Sequence, residues 1–224
     1  MNANGRQPVD LLTPPETAKA SPREHVDREI EDLLSSLPDP EQLSTAEQRA
    51  IIARYTAVLE GNFIYWMTAA YFSVGSEEAH TVIEDNLREE VRDNHPGMLR
   101  KFAVAARAVP TDSDVFAVQR NLQAVRAFVA GMSGVKILLM MGFFEGFIQR
   151  FMPYLADLAM RQGSTEQEYT DVHGICDIAH TQELFRAFDE ELTFAQPVSA
   201  VELCEGVRAL RLLIESIIHN RTGE

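Results

Sequence analysis

The chain of 224 residues has only two cysteines, Cys176 and Cys204, and their spacing fits neither a zinc motif nor a redox pair. That excludes a disulfide framework and points to a reducing, cytoplasmic setting. Basic residues are scarce as well: 20 Lys and Arg face 34 Asp and Glu, a formal net charge of −14. Phosphate recognition needs clustered cations, so nucleic acid is not an expected partner, and an anionic membrane surface has little to attract. Long apolar runs are missing. The most apolar one, residues 137–148, is short, contains Glu145 and suits a buried core helix better than a membrane span. The first 30 residues lack the apolar core of a secretory leader, so no signal peptide is expected. No stretch alternates as a half-buried strand does, and no repeat or low-complexity core segment occurs.

What is present is an ordinary globular composition, 46% hydrophobic and 24% charged, in a chain long enough to bury a sizeable core. Residues 1–20 are polar and proline-rich and read as a disordered tail; residues 21–224 read as a single helical domain. Helix starts are marked by capping boxes, Ser or Thr followed three residues later by Glu or Gln, at Ser21, Ser44, Ser164 and Ser199. Thr111 or Asp112 caps a further helix, and Ser76 begins another. These starts predict an all-α bundle of about seven main helices, including one unbroken helix from Ser44 to about Val74 and one bent at Pro153.

The chemistry gathers around residues 169–185, YTDVHGICDIAHTQELF, where His173, Asp177 and His180 stand at i, i+4 and i+7. At about 100° per residue they fall at roughly 0°, 40° and −20°, one narrow stripe on one helix. Two imidazoles and a carboxylate on one stripe form a facial ligand set for a divalent transition metal, iron above all. Other predicted helices carry matching acids. Glu145 is the sole charge between Lys136 and Arg150, and an ionised carboxylate in such a segment costs several kcal/mol unless paired or metal-bound. Glu60 stands at the edge of an uncharged run, and Glu90 lies near an apolar stripe of Ala79, Ile83, Leu87 and Val91, with His95 just beyond. Glu89 turns further towards solvent. The four carboxylates and three neutral imidazoles balance two divalent cations, and helical bundles build dinuclear sites from such inward-facing side chains.

The usual ferritin-like bundle supplies Glu-x-x-His on two helices, and this chain has no such pair. The late His-x-x-x-Asp-x-x-His instead resembles the haem-oxygenase-like di-iron oxidases and oxygenases, a superfamily that includes thiaminase-like and pyrroloquinoline-quinone-synthase-like proteins. The resemblance covers about residues 45–195. Glu60 matches the glutamate of an early helix, Asn86 to Glu90 an Asn-x-x-x-Glu segment, His95 a following histidine after a shortened linker, and Glu145 a mid-chain glutamate. It implies a haem-oxygenase-like fold, two iron ions per chain, O2 as co-substrate, an external reductant or reductase, a homodimer, and oxidation of a small amino-acid-, amine- or fatty-acid-like substrate in specialised metabolism. N-oxygenation, desaturation and oxidative C–C cleavage all remain open. Two other readings stand beside it: a thiaminase-like hydrolase with Cys176 as nucleophile, and a metal-free binding protein on the same fold. Tyr55, Tyr65, Trp66, Met67, Phe143 and Phe144 have spacings that suit a pocket wall, though such residues more often form plain core. Lys136, Arg150 and Arg186 are equal candidates to meet a substrate carboxylate.

Overall fold

The computed structural model describes residues 21–219, and every regular element among them is helical. The expectation of a disordered tail over residues 1–20 lies outside the described residues. The helices are α1 (Pro22–Ser35), α2 (Thr45–Leu59), α3 (Asn62–Ser73), α4 (Glu77–Arg92), α5 (His95–Ala105), α6 (Asp112–Val129), α7 (Gly134–Arg161), α8 (Glu168–Phe194), α9 (Ala200–Leu203) and α10 (Glu205–His219). No helix is long and apolar enough to cross a membrane among the described residues.

The bundle is built around α7. Its sequence is apolar nearly all round, and a helix with no polar face is stable only when other elements cover every side. Helices α8, α10, α1, α2 and α3 provide that cover, with α8 packed along most of its length. Pro153 lies inside α7 as expected, and Gly163, at φ 81°, follows its end.

Capping boxes form at Ser21, Ser44, Thr111 and Ser199. The one expected at Ser164 does not: α8 begins at Glu168, and Ser164 Oγ instead accepts from the Glu166 amide at 3.1 Å in a tight turn. Two expected helices are each divided. The stretch from Ser44 to Val74 breaks at Glu60 and Gly61, where Gly61 takes the left-handed conformation at φ 81° that a side chain resists. The C-terminal helix breaks at Cys204 into a single turn and α10.

One junction holds the site-bearing helices together. Glu191, buried near the end of α8, accepts hydrogen bonds from the Gly75 and Ser76 amides at 3.0 Å and so places a carboxylate on the free N–H groups that open α4. Gly134 is required there, because a Cβ would meet Ser73 O at 2.6 Å and Glu191 Oε1 at 3.0 Å. On the opposite flank Arg54 Nε donates to Ile217 O at 2.7 Å, joining α2 to the end of α10.

Candidate metal centre

Helix α8 is built with its polarity reversed. Its first half buries His173, Asp177 and His180 while leaving Ile175 74% exposed and Ile178 44% exposed. Helix α4 shows a milder form. The expected stripe through Leu87 and Val91 is rotated: Asn86 and Glu90 are buried and Val91 is 65% exposed. Burying imidazoles and carboxylates while aliphatic side chains face water runs against the hydrophobic effect on both counts, so the buried groups must interact strongly with one another or with a ligand.

The structure brings six of the seven expected ligands together. Glu90, His95 and His173, from α4, α5 and α8, offer donor atoms all within 4.8 Å of one another, and Asp177 and His180 do the same with Cys176. Glu145, on α7, lines one cavity with Glu90, His95, His173 and Asp177, and its carboxyl contacts that of Asp177. Glu60, the seventh, stands apart from this group. It ends α2 in extended conformation, and the turn at Gly61 leaves its side chain 40% exposed and paired with Arg100 on α5.

The hydrogen bonds fix the imidazoles. His173 donates from Nδ1 to Tyr169 O at 2.8 Å, which leaves Nε2 as the lone-pair nitrogen, 3.9 Å from Glu90 Oε1. His95 Nδ1 donates to the same Glu90 oxygen at 2.7 Å. His180 donates from Nε2 to Glu89 Oε2 at 2.9 Å, so its Nδ1 faces Asp177 Oδ1 at 3.8 Å. Glu89 does turn further towards solvent than Glu90, as expected, yet its half-exposed carboxylate still reaches His180, a contact that sequence reasoning did not foresee. Its position beside Glu90 is no signal by itself, since only the docking of α8 brings His180 within its reach.

Charge follows from this geometry. Burial, then the negative charges of Asp177 and Glu90, hold the Glu145 carboxyl well above the usual carboxylate range. Burial also raises Asp177, against the pull of His173 and His180. Burial pushes Glu90 up too, but its contacts with His173 and His95 outweigh that and leave it lowered. His173 shows the converse: burial pushes it down, and Glu90 and Asp177 carry it above its ordinary value.

The cavity is lined on its other sides by Leu59, Phe63, Ile64, Leu99, Phe144 and Ile148, and among the described residues no lysine or arginine lines it. Water-sized space inside amounts to about 30 Å³, room for roughly two waters. Of the aromatics singled out from sequence, Tyr55 and Phe144 reach it; Trp66 and Phe143 are core, and Tyr65 is partly exposed. Lys136, Arg150 and Arg186 are engaged elsewhere, with Glu205, Glu31 and Glu78. Cys176 donates to Asp177 Oδ1 at 3.1 Å, and burial followed by the Asp177 charge raises its thiol far from the thiolate form a nucleophile requires.

The donor set fits a divalent metal. Glu145 is buried with no basic partner among the described residues, Asp177 Oδ2 and Asn86 Nδ2 are buried without a hydrogen-bond partner, and each imidazole has one nitrogen fixed by an oxygen. Comparison with known proteins finds no match: no family model, curated protein or solved structure aligns with the chain.

Proposed function

We propose that the chain is a non-haem di-iron oxidase or oxygenase on a haem-oxygenase-like bundle, acting on a small substrate. The observation that carries this is the reversed polarity of α8, which buries His173, Asp177 and His180 against Glu90, His95 and Glu145 while its isoleucines face water. The ligand set is those six residues, and Glu60 is left out of it on this geometry. A mixed carboxylate and imidazole set suits iron or manganese better than a closed structural zinc site.

Bound iron would supply O2 activation and one-electron chemistry. The chain's own residues do the rest. Tyr169 O and Glu89 hold the His173 and His180 rings in the tautomers that keep a lone pair inward. Glu145 and Asp177, which bind protons readily in the metal-free chain, exchange them for cations on loading. Leu59, Phe63, Phe144 and Ile148 give the cavity an apolar wall, and its water-sized space of about 30 Å³ is too small for an organic substrate unless neighbouring side chains move. Substrate type, electron donor and homodimerisation follow from the family resemblance alone and are part of the same proposal.

The test is anaerobic loading with Fe(II), metal counting, and absorbance on exposure to O2. About two irons per chain and a transient visible band, both lost in His173→Ala, support the proposal. A folded parent that takes up no iron overturns it. The thiaminase-like alternative gains nothing from the structure, because Cys176 is a hydrogen-bonded thiol outside the lining of the cavity.

A further inference from the structure

Two tyrosines face the same cavity. Tyr55 on α2 and Tyr169 in the first turn of α8 are both buried, and their hydroxyl oxygens lie 2.7 Å apart. Both line the cavity with Glu90, Glu145, His173 and Asp177. Tyr169 is further tied to the site through its carbonyl, which accepts from His173 Nδ1, and its ring rests on that imidazole at 4.2 Å between centroids.

Counting protons shows what the pair has to spare. Two phenols carry two O–H groups, and the single bond between them uses one. Among the described residues neither hydroxyl has another hydrogen-bond partner, so one buried O–H is left over at the cavity wall. A buried donor without an acceptor is costly unless a ligand completes it. A hydroxyl that already accepts a hydrogen bond is also a better donor, because the two dipoles polarise each other.

We infer that the Tyr55–Tyr169 pair is the hydrogen-bond donor of the centre, the outer phenol donating its spare proton to an anionic oxygen of a small ligand held in the cavity. The inference rests on the metal reading proposed above. With room for about two waters, the oxygen belongs either to solvent-derived hydroxide or to a compact carboxylate head, and both offer the same acceptor. No bond to the phenol forms or breaks: the tyrosine keeps its proton and shares it. This assigns Tyr55 and Tyr169 a ligand-binding role that simple core packing does not include.

The experiment uses Co(II) as probe metal and formate as probe anion, with the visible bands of the cobalt protein as readout. Parent, Tyr55→Phe, Tyr169→Phe and the double variant are compared, with Co(II) stoichiometry and thermal melting as the check on folding. Expected is equal Co(II) uptake and, in one of the single variants, a weakening of formate by about tenfold, with no further loss in the double. That asymmetry identifies the outer phenol. A change in the alkaline transition of the cobalt bands, with formate affinity unchanged, assigns the acceptor to hydroxide instead. Full Co(II) uptake with formate affinity and alkaline transition unchanged in all three variants overturns the inference and leaves the metal reading standing. A parent that binds no Co(II) overturns both. Should a Phe variant fail to fold, Zn(II)-loaded parent labelled with 3-fluorotyrosine decides: a Tyr55 or Tyr169 fluorine resonance that moves with formate supports the inference, and one that stays fixed rejects it.

Discussion

Glu145 on α7 and Asp177 on α8 meet carboxyl to carboxyl inside the bundle, and among the described residues no lysine or arginine lines the cavity they share. Two acids in such contact cannot both ionise cheaply, so the metal-free chain holds protons where the loaded chain would hold cations.

The consequence for stability has a definite sign. Glu145, Asp177 and His173 have raised values in the fold, so each contributes stability that is complete below its ordinary value and lost as pH rises through the raised one. Glu90, with a lowered value, contributes in the opposite sense: its part is present above the ordinary carboxylate value and lost on acidification. Above the ordinary carboxylate value the Glu90 contribution is already complete, so the raised groups alone set the slope. The melting temperature of chelator-treated protein should therefore fall between about pH 5 and about pH 8, and the rise in melting temperature on adding Fe(II) should grow over the same interval. A metal-free melting temperature that climbs across that interval contradicts the assignment.

Glu145→Gln tests the pair from one side. The amide keeps the shape and the neutral state of the protonated acid, so the fold survives and the charge conflict with Asp177 and Glu90 disappears. Expected is a metal-free protein at least as stable as the parent at about pH 8, with a flatter dependence on pH and a loss of at least one metal equivalent. A marked destabilisation with normal metal uptake would show that Glu145 is a structural residue.

Much of this arrangement was legible from spacing. His173, Asp177 and His180 repeat at helical intervals, Glu145 is the lone charge in an apolar run, and five of the expected helix caps, at Ser21, Ser44, Ser76, Thr111 and Ser199, form where side-chain chemistry puts them. What was not legible depends on neighbours far along the chain. Glu89 and Glu90 are adjacent and differ only by rotation about α4; which of them meets which histidine is set by the docking of α8 and α5. Tyr169 stands four residues before His173, on the same stripe, a signal that was present but carries meaning only once Tyr55 is seen opposite. The break at Gly61 was hidden because a glycine within a helix costs only about 1 kcal/mol, and tertiary packing decides whether the helix continues.

Glu191 offers a test of how the scaffold supports the site. Its buried carboxylate accepts three amide contacts at the start of α4, the helix that carries Asn86, Glu89 and Glu90. Glu191→Ala leaves the buried Ser76 N–H without a partner and the exposed Gly75 N–H to water, and should lower stability by about 1–3 kcal/mol in urea unfolding. Because α4 then frays where it is anchored, metal affinity should weaken as well, although no ligand is touched. A loss below about 0.5 kcal/mol would mean that water replaces the carboxylate.

Glu60 separates two pictures of the loaded centre. Its carboxylate faces Arg100 at the surface, and an exposed ion pair of this kind contributes no more than about 1 kcal/mol. Glu60→Gln should therefore leave both metal stoichiometry and melting temperature close to those of the parent, whereas Glu90→Gln, which alters a carboxylate that accepts from His95 Nδ1 and stands 3.9 Å from His173 Nε2, should lose metal. Metal counting on the two variants decides. If Glu60→Gln loses one equivalent, the carboxylate must turn inward on loading, with the left-handed turn at Gly61 as its pivot. Gly61→Ala would then be expected to impair uptake of that same equivalent, because a side chain at φ 81° resists the conformation the turn requires.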